Sequence, residues 1–509
     1  GSVKPRDFPG GGRAAPFSTP PDSTDAMTPR SEGHAMTSLP RARRLALCLA
    51  LAISAPAMAG EVTVEELARR LQAIEQRLGT APPQEATETG LADLDQRLRV
   101  IERKLELQAE ETAAKTASTP AVTLSAGKGL AVKSPPPGDV EIRFRGLVQG
   151  DSRFYFDDNE RPQDDTFLLR RVEPTIEGTW GDLIAFRLNA QLAGDSATVN
   201  DAYLDLRFDP RATVRLGRYK VPIGLERLQS SSALAMVEGG FAGELAPVRD
   251  LGVQLQGDVL GNALSYAFGV FDGAPDGRDG STTNPDNDFE LVARLFAEPW
   301  KNAGNALSGL GFGIAGSSGD KQGSGNSFLP RYRTPGQVQF FNYRSNVVAD
   351  GEHTRWTPQA YYYRNAFGAL GEYISSRQEV ALPTGQREAF DNRAWSLTAS
   401  FVLTGEDASY KAVAKPNQPF TVGGAGWGAW ELVARYGELD IDEDAFPLFA
   451  DPASVASQAR SWGLGVNWYL NSYFKLVANY TQTKFDDGAP DGADREDEEA
   501  FFTRAQFAF

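Results

Sequence analysis

FFTRAQFAF, residues 501–509, is the stretch that decides the fold class, because its apolar residues recur with the period of a β-strand up to Phe509. Successive side chains of a strand point to opposite faces, so one face would carry Phe501, Thr503, Ala505, Phe507 and Phe509, and the other Phe502, Arg504, Gln506 and Ala508. A final strand with a terminal aromatic residue is typical of outer-membrane barrels, whose last strand pairs with the first because an unpaired backbone edge is costly in lipid. The edge strand of a soluble protein could end in the same way.

The same period of two recurs along the chain after Val140. In SWGLGVNWYL (461–470), Trp462, Leu464 and Val466 share one face and glycine or polar residues the other, and LIAFRLNAQL (183–192) alternates likewise. In a soluble sandwich the apolar face would pack on a second sheet. Aromatic residues near strand ends favour lipid instead, as interfacial girdles formed by Trp180, Trp300, Trp427, Trp430, Trp468, Tyr469 and Tyr473.

Counting these segments predicts an all-β fold, a sixteen-stranded antiparallel transmembrane β-barrel over residues 140–509. A barrel of this size is wide enough to enclose an aqueous channel. The predicted strands are 140–156, 166–180, 183–194, 198–208, 212–220, 249–260, 262–273, 288–300, 308–317, 354–364, 367–380, 390–404, 427–441, 456–469, 472–485 and 498–509. Short and long connections alternate between them, except that residues 405–426 are long on the short side.

The region before the barrel begins with features of export. Residues 36–59 have the order of a signal peptide: Arg41, Arg43 and Arg44, then the apolar run LALCLALAISA (45–55), then Ala57-Met58-Ala59 as a cleavage site. The alternative is the buried N-terminal helix of a cytosolic protein. Residues 1–35, rich in Pro, Gly and Ser, are predicted to be a disordered upstream extension.

Residues 60–110 are predicted to form short coiled-coil helices. Two blocks have heptad spacing, Val64 to Leu78 and Leu91 to Leu105, and the stretch GTAPPQEATETG (79–90) separates them. Each block is short for an independent oligomer, so an amphipathic helix lying on another surface is the alternative. Residues 111–139, with the run Pro135-Pro136-Pro137, are predicted to be a linker.

The composition disfavours catalysis. The only cysteine, Cys48, lies in the predicted signal peptide, and His34 and His353 are the only histidines. These residues leave little for a Ser-His-Asp triad or a metal centre, so we expect neither an enzyme nor a cofactor. The formal net charge of −16 argues against a nucleic-acid partner.

The 28-residue connection between the fifth and sixth predicted strands carries a family resemblance. RYKVPIGLERLQSSSALAMVEGGFAGELAPVRDLGVQLQGD (218–258) resembles the segment around the constriction loop of the phosphate-selective porins. FLLRRVEPTIEGTW (167–180), DAYLDLRF (201–208) and AYYYRNAFGALGEY (360–373) agree with it. The resemblance covers most of residues 140–509 and implies a homotrimeric outer-membrane barrel for small anions such as phosphate or polyphosphate.

The resemblance also implies an anion pathway of lumenal arginines, since a guanidinium presents a planar fork of donors to oxyanions. Its residues would be Arg153, Arg170, Arg171 and Arg249, with Arg218 and Lys220 as weaker candidates. Alternatively, these residues only pair with acids of the lumen wall. Within the connection itself, Glu226, Glu238 and Glu244 outnumber Arg227, and such acids would repel a multivalent anion.

Two functions compete at this point. One is a porin for passive diffusion of small anionic solutes, held in outer-membrane lipid with its N-terminal segment in the periplasm. The other is a structural barrel that anchors a periplasmic coiled coil and tethers the outer membrane to the cell wall. The sequence leaves the solute open.

Overall fold

The computed structural model describes residue 69 and residues 91–125, 127–135, 137–156, 163–323, 328–413 and 415–509. The predicted extension, the signal peptide and the first heptad block except Arg69 lie outside the described residues. Helix α1 (Leu91–Ser118) contains the second heptad block. The chain divides into two compact units, Gly1–Leu107 and Gln108–Phe509. Among the described helices, none combines the length and the apolar character needed to cross a membrane.

The second unit is a closed antiparallel β-barrel of sixteen strands, as predicted. Its strands are β3 (Val140–Tyr155), β4 (Thr166–Trp180), β5 (Ile184–Gln191), β6 (Thr198–Asp209), β7 (Ala212–Lys220), β8 (Arg249–Val259), β9 (Leu264–Phe271), β10 (Glu290–Ala297), β11 (Leu310–Gln322), β14 (Val348–Arg364), β15 (Phe367–Ala381), β16 (Arg387–Val402), β17 (Ala429–Asp440), β18 (Ala456–Tyr469), β19 (Phe474–Asp487) and β20 (Glu498–Ala508). Two hairpins lie outside this ring: β1 (Ala121–Ser125) with β2 (Gly129–Lys133), and β12 (Arg331–Arg333) with β13 (Gln339–Asn342).

The last strand closes the barrel on the first. Strand β20 pairs with β3 from Ala500↔Tyr155 to Ala508↔Leu147. The backbones of Phe509 and Gly146 then exchange two hydrogen bonds, of 3.0 and 3.2 Å. Pairing therefore continues to the last residue, and this contact leaves no open edge between β3 and β20.

The two faces of the wall differ as the period of two predicts. On the outer face, Trp356, Leu397 and Leu464 are 50%, 51% and 56% exposed. On the inner face, Gln149, Thr357 and Asn467 are buried. Most residues predicted for aromatic girdles lie near one end of the barrel, at which the turns 181–183, 210–211, 260–263, 365–366 and 470–473 are short. We call this the short-turn end and the opposite one the long-loop end.

Two local predictions differ from the structure, and one hairpin was not predicted. Strand β14 begins at Val348 rather than at 354, because a bulge near Gly351, whose φ is 127°, interrupts the period of two. Residues 111–139, predicted to be a linker, contain the end of α1 at Ser118 and the β1–β2 hairpin, which adds to β3. The β12–β13 hairpin in connection 323–347 was not predicted, because such short strands carry too few residues for a periodic signal.

Connection 221–248 contains two short helices, α2 (Leu225–Leu228) and α3 (Ala242–Leu245). Its backbone contacts strands remote from β7 and β8, which flank it: the Val237 N–H group donates to Asn479 Oδ1 (2.9 Å) and that of Ala242 to Ser396 Oγ (3.2 Å). The long connection 403–428 at the short-turn end also meets it, because Tyr410 Oη donates to the carbonyl oxygen of Leu225 (2.6 Å).

Candidate functional site

One cavity of about 370 Å³ contains most of the predicted site residues. Charged side chains dominate its lining. Eight are basic, namely Arg170, Arg171, Lys220, Arg227, Arg249, Arg278, Arg331 and Arg333, and five are acidic, namely Glu173, Glu226, Glu238, Glu244 and Asp279. Of the predicted residues, Arg153 and Arg218 do not line it.

Glu238 is the centre of an arginine cluster on three neighbouring strands, β3, β4 and β20. Its Oε1 atom accepts from Arg170 Nε (2.7 Å), Arg153 Nη2 (2.9 Å) and Arg504 Nη2 (3.3 Å). Arg504 also forms two hydrogen bonds of 2.7 Å with Asp151. Burial alone would raise the pKa of Glu238, but Arg170 and Arg504 hold it well below the usual value, so the carboxylate stays ionised.

The other predicted basic residues also have partners. Arg171 Nη1 donates to Gln149 Oε1 (2.8 Å) and Arg249 Nε to Asp201 Oδ1 (2.8 Å). Lys220 donates to the carbonyl oxygens of Arg227 (2.8 Å) and Gln229 (2.5 Å). Arg218 Nη1 donates to the carbonyl oxygen of Gly280 (2.9 Å). Lys220 therefore binds backbone of the 221–248 connection, and Arg218 binds backbone of the next long connection.

Glu226 and Glu244 bind differently. Glu226 forms a buried ion pair with Arg435 of β17, and its Oε2 accepts from the Gly240 N–H group (2.7 Å). Glu244 lies 3.8 Å from Arg227 and accepts from the Arg333 N–H group (3.1 Å). Burial raises the pKa of Glu244.

Two of the three acids expected to repel anions, Glu226 and Glu238, have arginine partners on the barrel wall. Arg435 and Arg504, which the sequence analysis did not single out, neutralise Glu226 and Glu238 from the barrel wall. The alternating pattern of its strand places each of these arginines on the inner face of the barrel, and this was the only sequence signal for them. Glu226 and Glu238 therefore act mainly to bind connection 221–248 to the wall, and they contribute less to the electrostatic potential of the cavity.

Three arginines of the cavity were also missed, because they lie in connections without periodic pattern. Arg278 belongs to connection 272–289, and Arg331 and Arg333 to β12. Burial, then the charges of Arg331 and Arg333, lower the pKa of Arg278. Within the described part of the chain, no carboxylate lies within 4.0 Å of the Arg278 or Arg333 guanidinium nitrogens. Like charges brought together in this way favour an anion between them.

His353 lies elsewhere and is 1% exposed. Its Nε2 atom lies 2.9 Å from Ser376 Oγ and 3.4 Å from Asp276 Oδ1. A side chain this deeply buried does not reach a solute in the cavity. His353 therefore does not belong to the side chains that line the cavity.

Comparisons with known proteins match most of the chain. The model of the family "phosphate-selective porin O and P" matches residues 140–509. Porin O of Pseudomonas aeruginosa is 25% identical over 405 residues, which are 73% of this chain and 89% of that protein.

Two solved structures align with the chain at low sequence identity. The outer-membrane channel DcaP of Acinetobacter baumannii has a TM-score of 0.48 at 12% identity and covers 73% of this chain and 97% of its own. The anion-selective porin of Comamonas acidovorans has a TM-score of 0.46 at 15% identity and covers 73% of this chain and 100% of its own.

Proposed function

The chain belongs to the family of phosphate-selective porins O and P, and we propose that it forms a water-filled pore for passive diffusion of small oxyanions, with phosphate as the leading solute. The single observation that carries the choice of an anion is the cavity lining, in which eight arginines and lysines face five carboxylates. Porins of this family are proteins of the bacterial outer membrane, and this chain is one of them.

We infer that connection 221–248 folds into the lumen and narrows it. The connection leaves the wall at β7 and returns at β8, yet Glu226 pairs with β17 and Glu238 with β3, β4 and β20. These partners lie on the inner face of the wall. A segment bound on both sides of a barrel has to cross its interior, so it would form the constriction.

The proposed solute is compact and hydrophilic. Among the described residues, no aromatic side chain lines the cavity, and its apolar side chains are Leu234 and Val248. Guanidinium groups can replace the hydration shell of phosphate through bidentate hydrogen bonds, whereas a large apolar solute would find few partners. Alternating partners along the wall allow such an anion to move on without being trapped.

Single-channel recording tests this function. The purified full-length protein in a planar bilayer is expected to show an anion-selective reversal potential in a potassium chloride gradient. Added phosphate should block the chloride current in a concentration-dependent manner. Cation selectivity would refute the choice of an anion, and absence of phosphate block would refute phosphate as the solute and with it the proposed function.

Changing Arg170, Arg171 and Arg249 together to alanine is expected to shift the reversal potential toward cation selectivity. Glu173 would then lose its ion pair with Arg171, and Asp201 would keep Arg187 as its only remaining ion-pair partner among the described residues, so the balance of charge moves toward the acids. The triple lysine variant should keep the sign of selectivity and bind phosphate more weakly, since the charge remains and the bidentate fork does not. An unchanged reversal potential in the alanine variant would place these residues outside the pathway.

We propose a homotrimer with the short-turn end and residues 60–139 in the periplasm, as the family resemblance implies. Chemical cross-linking in detergent should give trimers, and only monomers would contradict this. A variant without residues 60–110, which keeps the β1–β2 hairpin, should remain trimeric because the barrel walls carry the interface. Its dissociation would assign assembly to the helices.

A further inference from the structure

A buried polar cluster lies beside the cavity, at the long-loop end. We call it the Arg355 cluster, and it consists of Arg355, Asp276, Glu290 and Tyr332, none more than 2% exposed. Arg355 of β14 donates from Nε to Asp276 Oδ1 (2.6 Å) and from Nη1 to Glu290 Oε1 (2.6 Å). Its Nη2 atom donates to the carbonyl oxygen of Ala274 (2.8 Å). One guanidinium of the wall thus binds connection 272–289 at two residues, Ala274 and Asp276.

Asp276 extends this link to another connection. Its Oδ2 atom accepts from Tyr332 Oη (3.0 Å), and the same hydroxyl oxygen accepts from Asn392 Nδ2 (3.1 Å). Burial alone would raise the pKa of Asp276, but Arg355 holds it well below the usual value. Tyr332 therefore donates to a charged acceptor, which makes a strong hydrogen bond.

The residues next to this link are the missed arginines of the cavity. Arg278 follows Asp276 by two positions, and Arg331 and Arg333 flank Tyr332 within β12. Side chains alternate along a strand, so burial of Tyr332 turns both neighbours to the opposite face. Both arginines are exposed there and line the cavity.

We propose that Asp276 and Tyr332 are positioning residues, which fix Arg278, Arg331 and Arg333 as one oxyanion-binding group. This inference rests on the proposed function. Three guanidinium groups repel one another and lose side-chain entropy when an anion orders them. The buried hydrogen bond between Tyr332 and Asp276 joins the two connections that carry these arginines. Part of the free energy needed to bring the three charges together is therefore supplied by folding, and the anion binds more tightly.

Tyr332→Phe tests the inference in the full-length protein, because it removes one hydroxyl group and leaves every charge in place. The phosphate concentration for half-block is expected to rise about tenfold, the order expected for loss of one hydrogen bond to a charged group. The reversal potential in potassium chloride should not move, since it depends on the charges present. If Tyr332 contributed only to stability, its replacement would not raise the half-block concentration while leaving the reversal potential unchanged.

Tyr219→Phe is the matched control. Tyr219 is 2% exposed, and its hydroxyl group has no hydrogen-bond partner among the described residues. This variant should block like the parent protein. Asp276→Asn, which keeps the shape and weakens the link to Arg355, is a second variant in case Tyr332→Phe assembles poorly, and it should also raise the half-block concentration.

Arg333→Ala separates failure of this inference from failure of the proposed function. Weaker block in Arg333→Ala with parental block in Tyr332→Phe and Asp276→Asn would overturn the positioning role only. Absence of phosphate block in the parent protein would overturn the proposed function and this inference with it. Equal weakening in Tyr219→Phe and Tyr332→Phe would also overturn the positioning role, because loss of a buried hydroxyl group would suffice.

Discussion

Replacing Arg278 and Arg333 together by alanine is expected to abolish most of the anion selectivity and to bring the reversal potential close to that of a non-selective pore. Among the described residues, these arginines form no ion pair within 4.0 Å, although the charge of Arg333 also acts on Glu244, so their charge is less compensated than that of the paired arginines. Six basic and five acidic side chains would remain around the cavity. Each charge lost from a narrow, partly desolvated passage changes the energy of a passing anion by about 1 kcal/mol or more.

The control for this variant removes two arginines far from the cavity. Arg211 and Arg387 have side chains 72% and 65% exposed and pair with Asp209 and Asp350. The same recording on Arg211→Ala/Arg387→Ala should give the parental reversal potential, because charges in open solution are screened within about 10 Å at ordinary salt. An equal shift in both double variants would mean that net charge, rather than the cavity, sets selectivity.

Glu238→Gln is expected to destabilise the barrel by about 3 kcal/mol, as when one partner of a buried ion pair is removed. Arg153 and Arg504 would keep their ion pairs with Asp151. Arg170 would lose the carboxylate that it binds with two hydrogen bonds, of 2.7 and 3.2 Å. Denaturant unfolding of the protein in lipid vesicles measures the free energy of unfolding.

The same variant has a second expected effect, on transport. The neutral amide would weaken the attachment of connection 221–248 to β3, β4 and β20, which would still include the bond from Arg504 Nη1 to the Val237 carbonyl oxygen (2.6 Å), and would leave Arg153 and Arg170 available to anions. Single-channel currents should therefore become noisier, and phosphate should block at lower concentration.

Glu244→Gln is the matched control, because the partners of Glu244 among the described residues are Arg227, at 3.8 Å, and one backbone donor, Arg333 N–H. Its free energy of unfolding should change by much less than that of Glu238→Gln. Equal stability of both variants would show that the arginine cluster around Glu238 does not hold the connection.

The sequence determined the barrel. Alternation of apolar and polar residues is a local property of each strand. Each of the sixteen strands has one face toward lipid and one toward water, so each carries the same pattern. Strand number and the inward face of Arg435 or Arg504 could therefore be predicted from the pattern. The boundaries failed where the pattern is interrupted, as at the bulge near Gly351.

The charge pairing was decided only by the tertiary structure. Arg504 and Asp151 are 353 residues apart, and Arg435 and Glu226 are 209 apart, so their meeting depends on barrel closure and on the path of one connection. Counting charges within connection 221–248 predicted three repelling acids, because the arginines that neutralise Glu226 and Glu238 come from other strands. Arg278, Arg331 and Arg333 were not predicted either, because irregular connections have no periodic pattern. The contact of Tyr332 with Asp276 links the two connections that carry them.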